Sequence, residues 1–388
     1  MVKISIVGLE ISYVVGIALT VNIYLHSHAP MDLIAPIGLV FGFLIFNLML
    51  FCFRDKLPIA IAIIDAAADY YAATKRLIFV SLFYFLLHIV VFGLMCATFF
   101  YMMGTQTFIF DPNSTVSNGQ GTTIKNPSGA FIGVVFFVWV MGTWINVFFS
   151  NCMSYVCCVG ASSYYFTSDA NKEGSGEIIL GFKWATITNM GSLAFGAFLI
   201  TLIRILRSLA EQAMRGESEE GAAAVMRCIV MCIINCIESY LDYIDHIAIA
   251  FMSVSGDSFC TSAWNGYMIN LKHCVKFYFA QEIGGFFIFM GVLFIAGINT
   301  LVFWGLTKVG NTSGADPLVP LISIGVLSFL LSCITLGLFD DAIRATLMCF
   351  AVDMDLNNGS PRFGPPTFHE KMEAIMDKKF VKNFENNT

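Results

Sequence analysis

Residues 126–168 read NPSGAFIGVVFFVWVMGTWINVFFSNCMSYVCCVGASSYYFTS, without a single charged side chain. A helix rises about 1.5 Å per residue and the hydrocarbon core of a bilayer is roughly 30 Å thick, so about 20 such residues suffice to cross it. The stretch is too long for one straight crossing and rather short for two, and we read it as one long helix running on beyond the bilayer. Charge-free windows recur on both sides of it, at 11–31, 33–53, 77–110, 184–203, 283–307 and 317–339, and an eighth, 246–271, is interrupted by Asp257. In lipid, backbone N–H and C=O groups have to be satisfied within the segment that carries them. The pattern predicts an all-α polytopic membrane protein with about eight transmembrane helices within residues 1–352, plus interfacial amphipathic helices. The first helix is expected to begin near Ile4 and to carry Glu10, and the last to continue past Arg344 toward Phe350.

Composition points the same way. Of 388 residues 57% are hydrophobic and 12% charged, whereas a soluble domain carries roughly 25% charged residues. The mean hydropathy is +0.76. A net charge of −6 without a basic stripe excludes a nucleic-acid partner. The 12 cysteines lie in or beside apolar stretches, so they read as small buried hydrophobes and not as a disulfide framework. Cys228, Cys232 and Cys236 share one helix face but lack a fourth ligand close by, so packing is expected there and not a metal site. With no phosphate loop, nucleotide fingerprint or nucleophile elbow, neither a cofactor nor an enzyme is expected. Met1-Val2-Lys3 leads straight into an apolar stretch without a basic region before it, so a removed signal peptide is not expected.

Lysine and arginine are retained on the cytoplasmic side of a membrane. Eight crossings that start inside place most of them there, including Lys3, those of 54–76, Lys172, Lys183, Lys272, Lys276 and those of the tail. Both termini are thus expected on the cytoplasmic side of a plasma or organelle membrane, or on the matrix side of a mitochondrial one. Arg204, Arg207, Arg215 and Arg227 go against this count, and the amphipathic segment 207–242 is where the topology is weakest. Segment 54–76 has basic ends around an apolar middle spotted with acids, the pattern of a helix lying in the interface. Asn113-Ser-Thr, in the polar loop 104–129, and Asn311-Thr-Ser are glycosylation acceptors on the predicted outer face. Residues 353–388 form a polar tail, with a turn at Asn357, a breaker at Pro365-Pro366 and a helix-like run over 369–380.

Ionisable groups at membrane depth are expensive and are functional candidates. Here they are Glu10, Asp242, Asp245, Asp257, Asp340, Asp341 and Arg344. Asp340 and Asp341 stand at i−4 and i−3 from Arg344, a spacing that allows an ion pair on one helix; the other reading is a cation pathway. A quaternary ammonium has no N–H to donate and is held by ring faces and a nearby acid. Trp139, Trp144, Tyr155, Tyr164, Tyr165, Trp264 and Tyr267 are the aromatics on predicted helices near small residues.

Specific strings then take over from composition. Asn189-Met-Gly-Ser-Leu-Ala-Phe-Gly-Ala197, followed by Arg207, and Gly256-Asp-Ser-Phe-Cys-Thr-Ser-Ala-Trp-Asn265 resemble two signature segments of the choline transporter-like family. Trp144 to Phe166, Cys349-Phe-Ala-Val-Asp353 with Asn357-Asn-Gly359, and the stretch after Arg54 are similar to further family segments. The resemblance covers nearly the whole chain. Family members generally have ten crossings with a large outer loop after the first, and matching from the C-terminal end makes this chain begin at the third. The resemblance implies passage of choline or ethanolamine by alternating access. It suggests Trp144, Tyr164, Tyr165 and Tyr267 as ring contacts, Asp257 or Asp340 as the acid, and Gly191, Gly196 and Gly256 as points of close helix contact. Two departures stand out: Arg344 occupies a position where the family carries an acid, and Trp264 one where it carries a base. They motivate an alternative, a non-transporting subunit of a larger membrane assembly whose lipid face and tail are covered by other chains. Another polypeptide supplying the two helices lies between these readings. Membrane lipids are partners under any of them.

Overall fold

A computed structural model of the chain describes residues 57–104, 108–111, 121–124, 129–213, 222–309 and 318–373, with scattered helical positions between 10 and 51. The windows 11–31 and 33–53 fall mostly outside the described residues, and Asn113, Arg215, Asn311 and the tail beyond 373 lie wholly outside them.

In chain order the elements are α1 (Leu57–Ala73), α2 (Leu77–Gly104), β1 (Phe108–Asp111), β2 (Gly121–Ile124), α3 (Gly129–Thr167) and α4 (Ile178–Lys183). After a π-helical turn over Trp184–Thr188 come α5 (Met190–Ala213), α6 (Ala222–Ser255), α7 (Phe259–Lys272), α8 (Cys274–Val309) and α9 (Leu318–Leu356). A last helix, α10, runs over 366–373, opening at a proline as first turns tolerate. β1 and β2 pair antiparallel, Phe108 opposite Ile124, so the polar loop between α2 and α3 contains a small hairpin.

The chain is a helical polytopic membrane protein. Five helices among the described residues are long and apolar enough to cross a membrane: Leu77–Gly104, Gly129–Thr167, Met190–Gln212, Ile283–Thr307 and Val319–Leu356. They carry large apolar side chains on the outside, where Phe79 is 72% and Phe100 71% exposed, a surface that suits lipid and not water. The interrupted window 246–271 is not a single rod, and the described residues do not confirm the count of eight. Gly256 takes a φ of +73°, in the left-handed region that other residues avoid, and the chain breaks there into α6 and α7. With 14 residues, α7 is about 21 Å long, shorter than the hydrocarbon core.

α3 is the hub. It packs against α1, α2, α4, α5, α6 and α9, and from Asn151 to Ser162 every one of its residues is buried. Small and sulfur-bearing residues (Cys152, Ser154, Cys157, Cys158, Gly160, Ala161, Ser162) let neighbouring backbones approach here. α1 buries Ala62, Ile63, Ala67 and Tyr70 completely, against α3, α8 and α9. The Tyr70 hydroxyl donates to the Cys157 carbonyl at 3.1 Å, and burial holds its phenol well above the usual range, so it remains a donor.

Two of the four arginines that go against the topology count, Arg204 and Arg207, find acids on the facing helix. Arg207 lies 2.8 Å from Glu238 and 3.0 Å from Glu211, and Arg204 lies 3.7 Å from Glu238 and 4.0 Å from Asp242. The segment 207–242 is therefore the end of one helix and the start of the next, cross-linked by charge; being part-exposed, each pair contributes little by itself.

Candidate functional site

Asn151, Ser154, Cys158, Ser162 and Tyr165 recur at helical spacing and give α3 a polar stripe on one face. That stripe meets α6 and α9. The Asn151 side-chain amide donates to Asp245 Oδ1 at 3.3 Å, and the Ser154 hydroxyl bonds Asp341. The Cys158 thiol lies 3.8 Å from the Asp341 carbonyl, and the Ser162 and Ser253 hydroxyls are 2.9 Å apart. Tyr165 donates to Asp353 at 3.2 Å. A ladder of polar contacts thus runs between three helices that are otherwise apolar.

Two carboxylates anchor its middle. Asp245 is 3% and Asp341 6% exposed. Gly196 on α5 makes room for the first: a Cβ there would stand 2.6 Å from Asp245 Oδ1 and 2.7 Å from the Phe259 ring. His246 Nδ1 faces Asp341 Oδ1 at 3.6 Å, an ion-pair distance beyond hydrogen-bond reach. Arg344 closes on Asp340 at 2.5 Å, one turn apart on α9. Among the described residues no hydrogen bond reaches His246 Nδ1 or Arg344 Nε. The His246 side chain is 39% exposed, while its Nδ1 atom, toward Asp341, is buried.

Aromatic rings border the same place. Tyr243 lies near Asn270 and within electrostatic reach of Tyr267 and Arg344. Tyr240 and Tyr267 meet edge to face with centroids 6.3 Å apart. Three carboxylates, one guanidinium, a histidine and three tyrosines therefore gather between α6, α7 and α9. Asp340 and Arg344 compensate each other. The hydrogen bond that reaches Asp245 comes from the neutral Asn151, and Asp341 shares Arg344 with Asp340; a buried carboxylate without a full counter-charge takes a proton or binds a cation.

The residues singled out from the sequence fall in different places. Tyr267 and Asp340 border this cluster, as do Asp341 and Arg344, although within that predicted triad the ion pair is Asp340 with Arg344, and Asp341 faces α6. Trp144 and Tyr164 lie 20 positions apart on α3, about 30 Å along its axis, so one small ligand cannot touch both. Trp144 donates from its indole to the Ala194 carbonyl at 3.1 Å, tying α3 to α5. Trp144→Phe is expected to cost about 1 kcal/mol, the loss of one buried hydrogen bond, measurable as a lowered thermal unfolding temperature in detergent. Tyr164 is buried against Tyr70, ring centroids 5.7 Å apart, and Tyr165 is occupied by Asp353. Asp257 is exposed in the α6–α7 turn. Of the three glycines, Gly196 is a point of close contact, Gly256 serves the turn, and Gly191 has nothing within 4 Å of a Cβ. Cys232 and Cys236 are exposed free thiols, and the described residues contain no group of three or more metal-ligating side chains.

Tyr240, Tyr243, His246, Asn151 and Ser154 are members the sequence reading did not single out. The spacing Tyr240-x-x-Tyr243-x-x-His246, next to Asp242 and Asp245, carries the signal that would have found the α6 part.

Comparison with known proteins agrees with this architecture. A family model described as "Plasma-membrane choline transporter" matches residues 37–355. The chain is 25% identical over 351 residues to choline transporter-like protein 1 of Rattus norvegicus, covering 89% of this chain and 50% of the relative. It is 26% identical over 314 residues to choline transporter-like protein 1 of Torpedo marmorata (79% and 47%). With choline transporter-like protein 2 of Dictyostelium discoideum it shares 24% identity over 341 residues (86% and 52%). The chain spans about half the length of these relatives.

Proposed function

The chain belongs to the plasma-membrane choline transporter family, and on that premise we propose that it moves choline or a related organic cation across a membrane, with the cluster between α6, α7 and α9 as its binding place. The observation that carries the reading is the pair of buried carboxylates, Asp245 and Asp341, with His246 and Arg344 near the second and Tyr243 within electrostatic reach of Arg344. A quaternary ammonium suits such a place on physical grounds. It supplies the missing positive charge without a hydrogen-bond donor, and its methyl groups lie against ring faces. A membrane-embedded acid is where a cation pathway is expected.

Two irregular points adjoin helices that contribute to the cluster and give a means of movement: the π-helical turn at Trp184–Thr188 before α5, and the break at Gly256 between α6 and α7. Interrupted helices around a central site are the recurring device of alternating access. No covalent step is involved. Arg344, bound to Asp340, compensates that charge.

Labelled choline binding and uptake in proteoliposomes test the reading. Asp341→Asn is expected to weaken saturable choline binding at least about tenfold, since a buried charge partner is worth more than 1.4 kcal/mol. Tyr267→Ala is expected to cost about three- to tenfold, the worth of one cation–π contact. A wild-type chain that binds no choline saturably would overturn the assignment.

A further inference from the structure

We propose that Thr367 is a phosphorylation site whose modification unfastens a C-terminal strap from α1. After α9 the chain turns back and lies across the ends of α3 and α9. Asp353 accepts the backbone N–H groups of Arg362 and Phe363 at 2.9 and 3.0 Å, and the Gly364 N–H donates to the Ser168 carbonyl at 3.3 Å. Phe368, 1% exposed, inserts between Tyr165 and Phe350, with ring centroids 6.1 and 5.6 Å away. The far side of α10 meets α1 through two polar rungs: Thr367 donates to the Asp69 carboxylate, and Lys371 pairs with Asp65.

The rungs match in pitch. Thr367 and Lys371 are four residues apart on α10, Asp65 and Asp69 four apart on α1, and the two helices meet antiparallel. One modification undoes both. A protein kinase would break the bond between the γ-phosphorus of a nucleoside triphosphate and its bridging oxygen. That phosphorus joins Thr367 Oγ1, the hydroxyl proton passes to the kinase base, and a nucleoside diphosphate leaves. The product sets a phosphate of nearly two negative charges against Asp69 and removes the donor of the first rung. Lys371, one turn onward on the same helix, then has the phosphate as partner in place of Asp65. A phosphate in the first turn of α10 suits that helix itself, so α10 departs folded.

Thr367 is exposed while Phe368 beside it is buried, so the hydroxyl is reachable with the strap fastened, and Glu370 and Glu373 give it an acidic flank. The test uses the full chain in lipid nanodiscs, with hydrogen exchange read over 366–373 and phosphate located by mass spectrometry after treatment with an acid-directed kinase. Thr367→Glu is expected to speed exchange of these amides by about tenfold, Thr367→Val by less than about threefold, and Asp69→Asn added to Thr367→Glu to restore protection. Equal exchange in the Glu and Val variants would overturn the charge mechanism. A kinase-treated chain without phosphate on Thr367 would overturn the site.

Discussion

Gly196→Leu is expected to abolish choline binding and to destabilise the folded protein by about 3–5 kcal/mol. The first contribution is steric. A Cβ at this position stands 2.6 Å from Asp245 Oδ1 and 2.7 Å from Phe259, and overpacking a close contact of this kind costs about 1–3 kcal/mol. The second is electrostatic. Pushed aside, Asp245 loses the Asn151 amide at 3.3 Å, and a hydrogen bond to a charged group is worth about 1.5–3 kcal/mol. Gly191→Leu is the control within the same signature string. It faces open space, and because leucine is the better helix former it is expected to be neutral or stabilising by about 0.5–1 kcal/mol. Thermal unfolding in detergent with and without choline separates the two variants. Equal behaviour would show that the Gly196–Asp245 contact is not what fixes α5 against α6.

The contrast between these glycines shows how far the sequence could be read. Where structure is local, the reading carries over. Residues 126–168 form one helix, Gly129–Thr167, because nothing within them breaks the apolar run, and the window at 317–339 does continue past Arg344, to Leu356. The ion pair of Asp340 with Arg344 was legible because it spans one helical turn. Asn151 and Asp245 are 94 positions apart, and no periodicity within α3 or α6 says that these two faces meet. Trp144 and Tyr164 mislead in the opposite direction: membership of one helix suggests proximity, whereas the helical rise separates them by about the thickness of a bilayer core. The place of the break was legible from Asp257, but Gly256 was read as a helix contact and not as the turn that its φ of +73° makes it.

Asp353→Ala is expected to be the most damaging single change near the end of the chain, at about 3–5 kcal/mol. The carboxylate is 1% exposed and gathers four donors: the Arg362 and Phe363 N–H groups, the Tyr165 hydroxyl at 3.2 Å and the Asn357 amide at 2.6 Å. Alanine fills none of those roles. The part-exposed Asn357 amide and backbone groups find water once the strap loosens, so their loss is moderated. The Tyr165 hydroxyl cannot, because its buried ring is held between Phe166 and Phe368, and an orphaned buried donor costs about 1–3 kcal/mol. Asp353→Asn keeps the shape and two lone pairs but gives up the charge, and is expected to retain about half of the stability lost in the alanine variant. Tyr165→Phe in the Asp353→Ala background removes the orphan and is expected to recover about 1 kcal/mol or more, a non-additivity that a double-mutant cycle reads directly. If the two changes instead add, the tyrosine hydroxyl is not held by Asp353.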